Sequence, residues 1–149
     1  MLKFVGIGLM IAATSMIGIS MSGNLSKRVS ELELCLVLLE KIQTFLRYEQ
    51  TPTGELMEKL ASFKMFAPLP FVKECSRRLN QGESFPSAWE QGLNSTQNQT
   101  HLTPKDYAVL SGVAPVIGTS DAQGQISALD VIREMLNENS KEARQKKNT

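Results

Sequence analysis

Apolar residues dominate the first part of the chain without interruption by charge. From Phe4 to Ser26 no side chain is charged. A helix rises ~1.5 Å per residue, so the stretch from Phe4 to Met21 reaches about 27 Å, close to the ~30 Å hydrocarbon core of a bilayer. The pattern predicts a transmembrane helix within residues 1–24. Its predicted anchoring residues are Phe4, Val5, Ile7, Leu9, Met10, Ile11, Ile17 and Ile19.

A cleaved signal peptide is the alternative interpretation of this stretch, and it would make the protein an exported helical binding module. Met1-Leu2-Lys3 is a short basic start, and Ala12-Ala13-Thr14 is the best candidate for a cleavage site. The apolar run continues past that site, and no Cys directly follows the run, which excludes a lipoprotein signal. We therefore expect a retained anchor. The basic residues on its two sides only slightly favour a cytoplasmic position for the rest of the chain.

Downstream of Asn24 the apolar positions recur every three or four residues, which predicts a string of helices. The segment from Leu25 to Tyr48 contains neither Gly nor Pro and indicates one long helix. Its central run, Leu34 to Leu39, is apolar on all sides. Such a run is typical of a helix at the centre of a bundle or of one that docks another subunit.

Capping signals mark the starts of shorter helices. Thr51-Pro52 and Thr103-Pro104 each combine a capping hydroxyl with a Pro that suits the first helical position. Ser84 predicts a further start, and the helix after it carries Ala88-Trp89 on its buried face. Asp121, after the stop at Gly118, predicts the start of the last helix. The apolar face predicted for that helix is formed by Ile126, Leu129, Ile132, Met135 and Leu136.

Other residues predict where helices end. Gly82 suits the position just after a helix, where a left-handed backbone is common. Pro115 predicts a break near Val113, because Pro cannot donate the backbone hydrogen bond that a helix interior requires. The Asn/Gln/Ser/Thr-rich stretch from Gly92 to Gln99 predicts a loop, the least ordered part of the domain. Residues 137–149 contain no large apolar side chain and predict a solvated helix extension or tail.

Length and composition limit the architecture. The chain has 149 residues and a net charge of +1, which allows one modest domain and excludes a strong electrostatic case for nucleic-acid binding. No run alternates β-branched and polar residues, so no sheet is predicted. We predict an all-α bundle of about six helices at residues 25–136, preceded by the anchor at 1–24 and followed by the extension at 137–149.

The sequence contains little that predicts catalysis. Its one His, His101, stands in a polar stretch without the further ligands that a zinc site requires. Cys35 and Cys75 lie on separate predicted helices and are expected to be reduced core residues. Asp106 and Asp121 form a conceivable acid pair, but Asp at a helix start more often serves as a cap. We therefore predict no catalytic site, no metal, no cofactor and no small-molecule substrate.

Several short motifs occur in an order that resembles one known family. The long helix ends in Tyr48-x-x-Thr51-Pro52, where a second helix begins, and the short helix after that one ends before Gly82. Ala88-Trp89-Glu90 comes next, and Thr103, Asp106 and Leu110 begin the following helix. Gly118 then leads through Asp121 into the last helix. Together with the N-terminal span, this order resembles the stage III sporulation protein AB family of endospore-forming bacteria.

The resemblance implies a function. Members of the family belong to the complex that connects mother cell and forespore, and their soluble domain is similar to the inner-membrane platform of type II secretion systems. It implies an anchored, non-catalytic assembly protein in the mother-cell membrane, with other sporulation-complex membrane proteins and a cytoplasmic ATPase as partners. Two features depart from the family: Thr53-Gly54 stands where Leu is usual, and a second membrane span would begin near Lys146-Lys147, where this sequence stops.

Overall fold

The computed structural model describes residues 2–48, 52–117 and 121–148, of which 2–24 and 147–148 are described by their backbone alone. The helices are α1 (Leu2–Tyr48), α2 (Thr53–Ser62), α3 (Pro70–Asn80), α4 (Phe85–Thr96), α5 (Pro104–Ser111) and α6 (Ala122–Asn148). Short 3₁₀ turns follow α2 at Lys64–Phe66 and α4 at Gln97–Gln99. No strand occurs in the described ranges. The prediction of an all-α bundle of about six helices is confirmed.

Helices α1 and α6 form an antiparallel pair along the length of the bundle. Gln43, near the end of α1, donates to the carbonyl of Ile126, near the start of α6, at 2.9 Å. Glu33, earlier in α1, pairs instead with Arg144, late in α6. Helix α6 and the other helices bury a set of α1 side chains that recur at helical spacing. These are Val29, Leu32, Cys35, Leu38, Leu39 and Ile42. The predicted helix from Leu25 to Tyr48 is confirmed as the second half of α1.

An aromatic cluster of Phe71, Phe85 and Trp89 forms the core between α3 and α4. The Trp89 ring is fully buried, meets Phe71 edge-on at 5.4 Å between centroids and stacks on Phe85 at 5.6 Å. Its indole Nε1 donates to the carbonyl of Leu110 at 2.8 Å, which ties α4 to α5. Ala88, beside Trp89, is also buried. The predicted role of Trp89 as a core anchor is confirmed.

The turn between α3 and α4 explains the glycine predicted to end α3. Gly82 has φ +92°, a left-handed value that Gly adopts without a steric penalty. The N–H of Gly82 donates to the carbonyl of Leu79, and the N–H of Glu83 donates to the carbonyl of Arg78. These two bonds are the Schellman arrangement at a helix end.

The predicted loop from Gly92 to Gln99 is wrong. Helix α4 continues through Thr96 and passes into the 3₁₀ turn, so the polar stretch is helical almost throughout. Gly92 allows α4 to approach α3, because a Cβ there would lie 3.1 Å from the carbonyl oxygen of Phe71. Leu93 and Thr96 are buried against the bundle, and this packing overrides the loop-forming composition.

Four further predictions concern helix ends and faces. Pro52 is the residue before α2 and not its first residue, so the helix begins one position later than predicted. Ser84 precedes α4 as predicted, but its side chain makes no capping hydrogen bond. Met135 is 49% exposed, so its assignment to the apolar face of α6 is wrong. The break predicted near Val113 is confirmed, since α5 ends at Ser111.

The C-terminal extension is more closely packed than predicted. Helix α6 continues to Asn148, and the side chains of Asn139, Ser140 and Ala143 are buried. A fully solvated extension after residue 136 is therefore wrong for these three residues. They continue the face that begins with Leu129, Ile132 and Leu136.

Some predicted residues lie outside the described part of the chain. Thr51 and Gly118 are among them, and so are the side chains of the predicted anchor residues from Phe4 to Ile19, although their backbone belongs to α1. Within the described residues, no helix combines the length and the apolar character needed to cross a membrane.

Candidate functional site

Asp106 is the centre of a buried polar junction between three helices. It is the third residue of α5, and its backbone N–H donates to Oγ1 of Thr103 at 3.3 Å. In return the backbone N–H of Thr103 donates to Oδ2 of Asp106 at 2.9 Å. This reciprocal pair is a capping box, so the predicted cap at Thr103 and the predicted capping role of Asp106 are confirmed.

The same carboxylate also holds α1 and α6. Arg28 of α1 binds it with both ends of its guanidinium, Nε to Oδ2 at 2.8 Å and Nη2 to Oδ1 at 3.0 Å. Asn139 of α6 donates to Oδ1 at 2.9 Å. We call Arg28, Thr103, Asp106 and Asn139 the polar junction. The side chain of Asp106 is fully buried and that of Arg28 is 7% exposed.

The electrostatics of the junction favour the charged forms. Burial alone raises the pKa of the Asp106 carboxyl, but the hydrogen bonds from Arg28 and Thr103 outweigh it, so its pKa lies below the ordinary value. The hydrogen bond to Asp106 in turn raises the pKa of Arg28. Each carboxylate oxygen already accepts two hydrogen bonds, so Asp106 has no lone pair directed at a substrate. The arrangement fits a structural clamp and not a general base.

A second polar contact lies one turn further along α1. Glu31 accepts the backbone N–H of His101 at 2.7 Å and lies 3.1 Å from His101 Nδ1. It therefore holds the loop before α5, in the same way that Arg28 holds the first turn of that helix. On the surface nearby, Lys105 of α5 pairs with Glu142 of α6 at 2.7 Å. The N-terminal end of α5 is thus fixed to both long helices.

The other predicted site residues are distributed through the fold and do not converge. Asp121 accepts the backbone N–H of Gly124 at 2.9 Å, which confirms its cap on α6. Leu110 is buried, whereas Tyr48 is 75% exposed. Among the described residues no group of three or more His, Cys, Asp or Glu side chains is placed to hold a metal ion.

Both cysteines are buried free thiols, as predicted. Burial raises the pKa of Cys75 to about 12. Burial, reinforced by the charges of Asp106 and Glu31, also raises the pKa of Cys35. Thiols with raised pKa in apolar surroundings are weak nucleophiles, so these two residues behave as small core side chains.

Sequence reasoning missed the partners of Asp106. Arg28 is in helical register with the buried residues Leu32, Cys35, Leu39 and Ile42. Asn139 is in register with Leu129, Ile132 and Leu136. The signal overlooked was a charged or amide side chain in the buried register of an amphipathic helix, because such a group requires a buried partner.

Comparison with known proteins agrees with this architecture. The family described as Stage III sporulation protein AB matches residues 3–149. The Stage III sporulation protein AB of Bacillus subtilis (strain 168) is 24% identical over 126 residues, which cover 84% of this chain and 74% of that protein. A solved structure of a Stage III sporulation protein AB has the same fold, with a TM-score of 0.71 and 20% identity, over 81% of this chain and 96% of the other. The chain therefore belongs to the stage III sporulation protein AB family.

Proposed function

We propose that this protein is a non-enzymatic, membrane-anchored structural component of the complex that connects mother cell and forespore. It would reside in the mother-cell membrane and bind other membrane proteins of the complex and a cytoplasmic ATPase. Family membership supports a role in sporulation. Each oxygen of the Asp106 carboxylate already accepts two hydrogen bonds, and the other candidate residues are distributed through the fold. These two features support assembly over catalysis.

The continuity of α1 is the observation that carries the proposal. The helix runs from Leu2 to Tyr48 and so joins the uncharged N-terminal stretch to the buried centre of the bundle. Arg28, only two positions beyond the last residue of that stretch, is held by Asp106 of α5, which also binds Asn139 of α6. A displacement of the anchor would therefore be transmitted directly to three helices.

Placing a charge in the middle of the proposed anchor tests the proposal. Arg at a helix centre costs about 2.5–3.5 kcal/mol on insertion scales, so Ile11→Arg should move the protein from the membrane fraction to the soluble fraction and block spore formation after engulfment. Ile11→Leu is the matched control and should leave both unchanged. Membrane fractionation and counts of heat-resistant spores provide the two measurements.

The enzyme alternative makes the opposite prediction. Loss of a true general acid or base typically lowers a rate by about 10²–10⁴, so a catalytic role would make His101→Ala or Asp121→Asn as damaging as loss of the protein. For an assembly protein we expect both variants to form spores close to normally. Tolerance of Ile11→Arg together with a null His101→Ala would reject it.

A further inference from the structure

One surface of the bundle combines exposed apolar side chains with lysines. Phe63 is 39% exposed and Met65 is 42% exposed, next to a cleft of about 350 Å³ that Lys64 and Lys73 border. Lys41 of α1 lies over the Phe63 ring at 5.4 Å. The sequence from Lys59 to Lys73 contains no carboxylate. We call Lys41, Phe63, Lys64, Met65 and Lys73 the basic surface.

A second surface, on α6, has the opposite charge. Asp130, Glu134 and Glu138 recur every four residues, and Val131 and Met135 beside them are 58% and 49% exposed. We call these five residues the acidic stripe. Arg133 and Lys141 lie 3.7 Å and 3.6 Å from Asp130 and Glu138. Such long, exposed pairs contribute little and can exchange partners.

The two surfaces lie on opposite sides of α1. Gln43 donates to Asp130 of α6 at 2.7 Å, whereas Lys41 lies over Phe63. Lys41 and Gln43 are two positions apart, which corresponds to about 200° around a helix. Helix α6 and the segment containing Phe63 therefore flank α1. Their levels along α1 are also similar. Leu36 borders the acidic stripe, and it precedes Lys41 by about 8 Å along the helix axis.

We propose that copies of this protein associate head to tail, with the basic surface of one copy against the acidic stripe of the next. The exposed Val131 and Met135 of one copy would meet Phe63 and the apolar cleft of its neighbour. The carboxylates beside them would then face Lys64 and Lys73. Because α1 separates the two surfaces, one chain cannot satisfy both by itself.

Charge complementarity favours a second copy as the occupant, and the proposed anchor strengthens the case. This step rests on the proposed function. Anchored chains share one orientation, so two surfaces at similar levels on opposite sides meet by lateral approach. Confinement to a membrane raises the effective concentration, which lets a weak contact persist. A contact between different patches forms a row, or a ring if the rotation between copies closes.

Crosslinking of the purified full-length protein in phospholipid vesicles tests the contact without other sporulation proteins. Ala67, at the cleft, and Asn137, beside Glu134, are exposed, and Cys35 and Cys75 are buried and do not compete for the reagent. The double variant Ala67→Cys/Asn137→Cys, treated with a short bismaleimide, should form a ladder of dimers, trimers and larger species. Each single variant should give no ladder. The matched control, Ala67→Cys/Gln91→Cys, places the second thiol on an exposed position of α4 and should also give none.

Charge reversal in the double-cysteine background makes the test specific. Lys64→Glu or Glu134→Lys alone should lower the ladder yield about fivefold, because each replaces an attraction by a repulsion. The two reversals together should restore the yield to within about twofold of the parent. Added salt should lower the parent yield.

The outcomes separate this inference from the proposed function. A ladder that charge reversal leaves unchanged, or an equal ladder from the control pair, overturns the inference. So does a ladder that appears only when other sporulation proteins are added, because the occupant is then a different protein. Sedimentation of the same vesicles tests anchoring separately, and a protein that fails to sediment with lipid contradicts the anchor whatever the ladder shows.

Discussion

The polar junction and the aromatic cluster hold the bundle together in opposite ways. In the cluster, Trp89 packs between Phe71 and Phe85 and makes one hydrogen bond, to Leu110. Such burial stabilises through apolar area and does not depend on one exact geometry. The junction instead surrounds Asp106 with directed hydrogen bonds from α1, from α6 and from the cap of its own helix. Its gain is offset by desolvation, so we expect it to contribute more to the choice of partner helices than to net stability.

The largest expected effect is on the aromatic cluster. Trp89→Ala should lower the free energy of unfolding by about 3–5 kcal/mol, because it removes a fully buried ring and leaves a cavity. Urea unfolding of the protein in mild detergent, followed by far-UV circular dichroism, measures the change. Trp89→Phe is the control and should cost less, because it keeps one aromatic ring and loses only the pyrrole part of the indole with its hydrogen bond to Leu110. An unchanged unfolding midpoint for Trp89→Ala would show that the cluster is not a core.

Breaking the polar junction should have the next largest effect. Asp106→Ala leaves Arg28 buried without its partner, which should lower the free energy of unfolding by about 3 kcal/mol. The double variant Arg28→Met/Asp106→Leu removes both charges, so it should recover the part of that loss that the unpaired Arg28 causes. Asn139 and the backbone N–H of Thr103 remain without their acceptor in both variants. The same urea unfolding series checks both. If the double variant is as unstable as Asp106→Ala, the unpaired charge of Arg28 is not the cause of the loss, and the contrast with the aromatic cluster is wrong.

The sequence predicted the burial of Trp89 and the turn at Gly82, but it predicted neither the contacts of Trp89 with Phe71 and Phe85 nor the junction, for a physical reason. Trp89 and Gly82 act through local signals, the apolar period of one helix and the left-handed turn after another. Arg28 and Asp106 are 78 residues apart, and Asn139 is 33 residues beyond Asp106. No local pattern specifies which buried polar groups meet. The helical course of Gly92 to Thr96 was missed because its composition favours loops, and only packing against α3 shows why it is helical.

Acid should weaken the junction but not the cluster. The pKa of Asp106 in the folded protein lies below its ordinary value of 3.8, so the folded state binds this proton less tightly than the unfolded state does. The resulting stability is therefore present above about pH 4 and is lost as pH falls through the folded pKa. In that range the titration of this carboxylate lowers the free energy of unfolding by up to about 1.4 kcal/mol for each pH unit.

Urea unfolding from pH 6 downwards, in steps of ~1 pH unit, measures how the free energy of unfolding depends on pH. Arg28→Met/Asp106→Leu should show a shallower acid slope than the parent, whereas Trp89→Phe should shift stability equally at every pH. The pKa of Glu74 and the pKa of Glu142 are also lowered, by hydrogen bonds to Arg77 and to Lys105. Both are surface pairs, so they remain in every variant as a common background. Parallel slopes for the parent and the double variant would exclude Asp106 as the main acid-sensitive group.

The smallest expected effects on stability come from substitutions of two glycines, Gly82 in the turn between α3 and α4 and Gly92 within α4. Gly82 has open space around it but a φ of +92°, so Gly82→Ala should cost about 1 kcal/mol through backbone strain alone. Gly82→Asn should cost less, because Asn tolerates left-handed backbone better than other residues. Gly92 has the reverse problem, an ordinary helical backbone on which an added Cβ would lie 3.1 Å from the carbonyl oxygen of Phe71. Gly92→Asn should therefore be worse than Gly92→Ala, the opposite order to position 82, because a longer side chain forces α4 away from α3. If Ala and Asn rank in the same order at both positions, it is wrong that backbone strain limits position 82 while close packing limits position 92.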